Sequence, residues 1–165
     1  TGRIGEYIRT GLNYQTWVEN FKEGLKGVTN DRQMRIDFTL TLPGMFEVKE
    51  MDKLAYNLDS EILAKVIFSF TPDIIMSPLA LPRKLLEKWI DDILESKLCK
   101  PVLIDMLTQL KTRPTFEEQW PDTYQESLAK GKRRVLQLES IRKDKFTLAD
   151  ILKSRKEVYE WYQSI

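Results

Sequence analysis

Between residues 14 and 26 the apolar positions Tyr14, Trp17, Val18, Phe21 and Leu25 fall on one helical face. Asn13 is placed to cap this helix and Gly27 to end it, while Gly24 weakens its last turn. From Met34 the period changes to two. Met34, Ile36, Phe38 and Leu40 alternate with Arg35, Asp37, Thr39 and Thr41, the pattern of a half-buried strand over 33–41. A turn at Leu42, Pro43 and Gly44 leads to a shorter alternating run, Phe46 and Val48 against Glu47 and Lys49, which predicts a second strand over 45–50. With Gly44 left-handed in a short loop, Leu40 opposes Phe46, Phe38 opposes Val48, Thr39 opposes Glu47 and Asp37 opposes Lys49. This register puts every apolar residue of a hairpin over about 33–50 on one face.

Further along, Ala64, Val66, Phe68 and Phe70 alternate with Lys65, Ile67 and Ser69, and the β-branched and aromatic content favours a third strand over 64–70, ended by Thr71, Pro72 and Asp73. Asp59 or Ser60 is placed to cap a short helix there as the competing reading. A strong amphipathic helix follows over 82–97, opening at Pro82 and burying Leu85, Leu86, Trp89, Ile90, Ile93 and Leu94. Residues 101–110 fit either a buried strand or a helix opening at Pro101.

The last third is helical in pattern. Asp122 is placed to cap a helix with Tyr124, Leu128, Val135 and Leu138 along its seam. A second helix opens with Thr147 and Asp150 in a capping-box arrangement, with Phe146 positioned to staple Ile151. Its stripe, Ile151, Val158, Tyr162 and Ile165, suits packing on the core first, and less often a partner helix or a second copy of the chain. The pattern therefore predicts an α+β fold. A small mixed sheet with a central β-hairpin is flanked by helices, in a single domain over 1–165 with an α/β core over about 14–110 and a helical C-terminal layer over about 115–165.

Composition narrows the chemistry. The 165 residues include 26 Lys plus Arg against 25 Asp plus Glu, one Cys and no His. Catalysis by Ser-His-Asp or Cys-His groups, His-ligated metals and imidazole pH switches are therefore excluded. A lone Cys99 rules out a disulfide framework and a Cys-rich zinc site, and its place after an amphipathic helix predicts a small buried role. No apolar run approaches a membrane span, no cleavable leader pattern occupies the first 30 residues, and the cysteine usage suits a soluble intracellular protein, cytoplasmic or nuclear.

The near-zero total conceals a local excess. Lys130, Lys132, Arg133, Arg134, Arg142, Lys143, Lys145, Lys153, Arg155 and Lys156 stand against only Glu139, Asp144 and Asp150 in the same stretch. Such a face suits contact with nucleic acid or another polyanion, and it suits equally a solvated helix pair balanced by acids elsewhere, such as Glu117, Glu118, Asp122 and Glu126. It carries no RNP-like signature, so the contact it supports is electrostatic. Trp120 and Tyr124 at its edge are placed to stack on a base or to pack.

The sharpest constellation lies on the predicted hairpin. Asp37 followed by Glu47-Val48-Lys49 resembles the Asp, Glu-x-Lys signature of the PD-(D/E)xK nuclease superfamily, and the element order over 14–106 resembles the core of that family. The resemblance implies two carboxylates, Asp37 and Glu47, holding Mg²⁺ or Mn²⁺, with Lys49 steadying the nucleophile and Glu19 or Glu23 as the helix carboxylate some members contribute. Ile36 stands where the family has Pro. The same side chains also suit a cross-strand ion pair between Asp37 and Lys49, worth ~0.2–1 kcal/mol on a wet sheet face.

Two functional readings follow. The leading one is a non-enzymatic binding or assembly protein without a cofactor. It would contact a polyanion through the basic C-terminal helices, with Lys130, Lys132, Arg133, Arg134, Arg142, Lys143 and Lys145 as the contact residues, and a protein partner through an aromatic-rich surface. Homo-oligomer formation is compatible with it. The other is a divalent-metal nuclease using Asp37, Glu47 and Lys49.

Overall fold

A computed structural model describes residues 1–30, 33–66 and 75–165. The first helix, α1 (Gly2–Ile8), turns into α2 (Tyr14–Leu25), whose start is capped as expected, with the Asn13 side chain accepting the Thr16 N–H at 2.9 Å. Gly24 has a packing role in addition to its weak helix propensity. A Cβ there would lie 2.7 Å from both Cε and Sδ of Met34, so the last turn of α2 rests directly on the chain entering the sheet.

The first strand, β1 (Ile36–Leu40), forms as expected, with Ile36, Phe38 and Leu40 buried and Asp37 exposed. The hairpin does not. After β1 the chain winds through a 3-10 turn, Pro43–Glu47, into α3 (Val48–Asn57), and then into β2 (Ile62–Val66), which pairs with β1 in parallel, from Ile36 opposite Ile62 to Leu40 opposite Val66. The alternation of residues 46–49 is too short to distinguish a strand from a helix. Over a longer window the buried set is Val48, Met51, Asp52 and Ala55, a helical spacing. Gly44 is not left-handed either: the Thr41 hydroxyl accepts its N–H at 3.0 Å, and a Cβ would come within 2.9 Å of that oxygen. The glycine permits close approach. Parallel strands need a crossover, and α3 supplies it.

Asp59 ends α3 and does not begin a helix. It adopts φ 47°, while Ser60 N–H reaches Ala55 O at 2.9 Å and Asp59 N–H reaches Tyr56 O at 3.1 Å, the paired bonds of a Schellman cap. The strand expected over 64–70 is realised at its start by β2, and 67–70 lie outside the described residues.

The remaining helices are α4 (Arg83–Leu94), α5 (Pro101–Thr112), α6 (Phe116–Gln119), α7 (Tyr124–Arg142), α8 (Leu148–Leu152) and α9 (Lys156–Ser164). The ambiguous segment is therefore helical, with Pro101 in its first turn and Leu103, Met106, Leu107 and Leu110 buried. Phe46, expected on the hairpin, instead meets Trp89 of α4 edge-on at 4.6 Å between ring centroids. The capping box at Thr147 and Asp150 forms, but the single helix expected beyond it is broken between α8 and α9. Ile151, Val158 and Tyr162 are buried within the chain, so this stripe is core. On α7 the seam runs Tyr124, Leu128, Gly131, Val135 and Glu139, and Leu138 is half exposed. A straight helix drifts away from an alternating four-three pattern, and a further step of four from Val135 lands on Glu139. The buried side chains form one cluster reaching from Tyr7 to Tyr162. The fold is α+β, with two parallel strands among helices, and no described helix is long and apolar enough to cross a membrane.

Candidate binding cleft

Helices α1 and α2 stand beside β1 and leave a cleft of about 1030 Å³ between them. Both faces of β1 line it, Ile36 and Phe38 from the buried side and Asp37 and Thr39 from the open side, whereas none of Ile62–Val66 does. The cleft therefore runs along the edge of β1 that faces away from β2.

Its aromatic wall follows from helical spacing. Tyr14, Trp17 and Phe21 lie three and four residues apart on α2 and stack in series, with ring centroids 6.0 Å and 5.4 Å apart and interplanar angles of 22° and 28°. Phe21 is anchored in the core, and Trp17 is half-buried. Burial, followed by the negative charges of Glu47 and Glu50, pushes the Tyr14 hydroxyl up, so it remains a neutral donor at pH 7.

The charged groups of the cleft are distributed unevenly. Asp37 is bridged by Lys65 at 3.1 Å, both half exposed, and this pair replaces the expected one with Lys49. Glu47 is buried in the 3-10 turn, where its carboxylate accepts the Thr1 hydroxyl. Arg9 and Arg35 line the cleft and are exposed, and their side chains have no ion-pair or hydrogen-bond partner among the described residues.

The residues of the nuclease resemblance are thus dispersed. Asp37 and Glu47 border the same cleft, but Lys49 is exposed on α3 and takes no part in the lining. Glu19 accepts from Gln15 at 2.8 Å and Glu23 pairs with Lys26 at 2.6 Å, both on the outside of α2. Among the described residues, no three Asp, Glu or Cys side chains converge as a metal site requires. Without the hairpin, the adjacency on which that reading depended is lost.

The basic stretch is also partly committed to internal contacts. Lys132 donates to the Tyr162 carbonyl at 2.8 Å and lies 4.7 Å above the Tyr162 ring. Arg142 pairs with Asp144 and donates to the Tyr7 carbonyl at 3.3 Å. Lys153 pairs with Asp150 at 2.7 Å, Lys156 with Glu160 at 3.7 Å, and Arg155 with Asp92 while lying 4.9 Å from the Trp89 ring centre. Lys130, Arg133, Arg134, Lys143 and Lys145 are exposed. Lys143 sits at the left-handed end of α7, where Asp144 N–H closes a Schellman cap on Glu139 O at 3.0 Å.

Two buried carboxylates escaped the sequence pattern because their type reads as surface. Glu139 accepts the Tyr7 hydroxyl at 2.8 Å and the Leu148 N–H at 2.6 Å. Asp52 accepts the N–H groups of Cys99, at 2.9 and 3.0 Å, and Lys100, at 2.8 Å, ahead of α5. Each continues an apolar seam at helical spacing, which is the signal that finds them. Cys99 itself is exposed, contrary to its expected burial.

Compared with known protein families, curated proteins and solved structures, the chain matches none.

Proposed function

We propose that the chain is a non-enzymatic binding or assembly domain that holds a protein partner in the cleft between α1, α2 and β1. The observation that supports this reading is the stacked series Tyr14, Trp17 and Phe21, presented along one wall of a cleft of about 1030 Å³ beside a strand edge. Amphipathic aromatic rings held rigid on a helix lose little conformational entropy on binding and supply large apolar contact. A pairing of this kind accounts for the aromatic-rich surface without a catalytic group. Contact with a polyanion would fall to the exposed side chains of the basic stretch, Lys130, Arg133, Arg134, Lys143 and Lys145, and less to the half-buried Lys132 and Arg142. An intracellular setting suits an exposed, unpaired cysteine.

Selection from a random peptide library displayed on phage tests the cleft. Peptides enriched on the wild type are expected to lose binding to Trp17→Ala and to keep it with Ile141→Ser, which alters an exposed side chain on α7. Enriched peptides indifferent to Trp17→Ala would overturn the reading.

A further inference from the structure

We infer that the occupant of the cleft is an extended polypeptide segment, alternating apolar and acidic, that adds to the open edge of β1 as a further strand. This rests on the cleft being the binding site.

The register of the sheet carries the inference. Ile36 N–H donates to Glu61 O at 2.9 Å, and Ile36 is aligned with Ile62. In a parallel pair the N–H and C=O of alternate residues point to the same neighbour, so Ile36, Phe38 and Leu40 direct theirs to β2. Asp37 and Thr39 direct theirs the opposite way, into the cleft, and the described residues provide no backbone partner for them. Backbone groups along a cleft floor that have no partner among the described residues are matched in direction and spacing by another extended backbone.

Side chains define what that backbone carries. On a strand added at this edge, residues alternate between the two faces of the sheet. One set would lie on the side of Ile36 and Phe38, where Tyr14, Trp17 and Phe21 supply an apolar wall. The other set would lie on the side of Arg35, Asp37 and Thr39. There Asp37 is already neutralised by Lys65, which leaves the Arg35 side chain without a counter-charge among the described residues, and Arg9 lines the same cleft. The complement is therefore apolar on one face and acidic on the other.

A capped peptide of about eight residues alternating Val and Glu, long enough at ~3.3 Å per residue to overspan β1, is the probe. On its addition, amide exchange at Asp37 and Thr39, followed by NMR on the uniformly labelled protein, is expected to slow. Exchange at Phe38, already bonded to β2, should not change. N-methylation of alternate peptide residues leaves the side chains intact and removes the added backbone bonds, and is expected to weaken binding about tenfold or more. A Val-Lys peptide should bind more weakly to the wild type and gain on Arg35→Glu, an exposed position whose change leaves the core intact.

No slowing at Asp37 and Thr39 with millimolar peptide, or equal binding of the N-methylated form, would overturn strand addition. Protection of the same amides by raising the protein concentration alone would overturn it in favour of a second copy. Library peptides that depend on Trp17 yet leave the two amides exchanging freely would keep the cleft as the binding site while overturning the strand, so the two failures are distinguishable.

Discussion

The hydroxyl of Tyr7 on α1 donates to the carboxylate of Glu139 on α7 at 2.8 Å, across 132 positions of sequence. The same carboxylate accepts the Leu148 N–H at the start of α8, so one buried acid ties three helices together. Arg142, 5.1 Å from the centre of the Tyr7 ring, brings a positive charge to the group. Burial, followed by the hydrogen bond to Glu139, drives the Tyr7 hydroxyl far above its ordinary range, and it therefore stays protonated in the native state.

A contrast between two tyrosines follows. Tyr7→Phe leaves a buried carboxylate short of a donor and is expected to lower stability by ~1.5–3 kcal/mol. The Tyr162 hydroxyl is buried without a hydrogen-bond partner among the described residues, so Tyr162→Phe is expected to be neutral or to raise stability by up to ~1 kcal/mol. Urea unfolding of the two variants reads both signs. A loss for Tyr162→Phe as large as that for Tyr7→Phe would show that its hydroxyl is satisfied in solution.

Asp52 holds the Cys99 and Lys100 amides ahead of α5, and Pro101 has no N–H of its own to share that role. Asp52→Ala is expected to cost ~1–3 kcal/mol, since it removes the acceptor and leaves two N–H groups to find water. Thermal unfolding measures the cost. The rate at which a thiol reagent labels Cys99 should change little, because that side chain is already exposed.

Lys143 occupies a left-handed position with φ 57° at the end of α7, where a side chain is strained and glycine is not. Lys143→Gly is expected to raise stability by ~0.5–1 kcal/mol, as measured by urea unfolding. The same change removes one exposed positive charge. If the basic residues bind a polyanion, the salt dependence of that binding should flatten by about one unit of slope.

Two carboxylates, the exposed Glu118 and the half-buried Asp150, shape the acid limb. The Arg83 guanidinium, with help from the Thr115 N–H, holds Glu118 down to about 2, and Lys153 with Thr147 does the same for Asp150, also to about 2. Their ordinary values are 4.5 and 3.8, so between there and about 2 the unfolded chain binds more protons than the native one. This contribution is complete above the ordinary values and is lost as pH falls through about 2. The double variant Glu118→Gln, Asp150→Asn is expected to show a shallower fall in stability between pH ~5 and ~2, by an amount that solvent screening keeps small. An unchanged slope would place the acid sensitivity elsewhere.

Local chemistry was legible without the fold. Asn13 at the start of α2, Thr147 and Asp150 at the start of α8, and the apolar faces of α2 and α4 follow from spacing and capping alone, because each depends on neighbours within a turn or two. The α+β class was legible for the same reason. The partner of β1 was not. Phe46 and Val48 alternate with Glu47 and Lys49 as a strand would, and only the burial of Met51 and Ala55 beside Val48 determines that this stretch is helical and that β1 pairs in parallel with β2.

That single pairing also reassigned the chemistry. It gave Asp37 to Lys65 in place of Lys49, and it turned the amides of Asp37 and Thr39 into the cleft beside Trp17. Glu139 and Asp52 belong to the same class. Their charge reads as surface although helical spacing continues a buried seam through them, and only long-range packing brings Tyr7, or the Cys99 and Lys100 amides, close enough to offset the cost of burying a carboxylate. Elements whose energy is local follow from neighbouring residues alone. Which edges meet, which charges are buried and which backbone groups face the cleft were decided by long-range packing, because each depends on residues far apart in the chain.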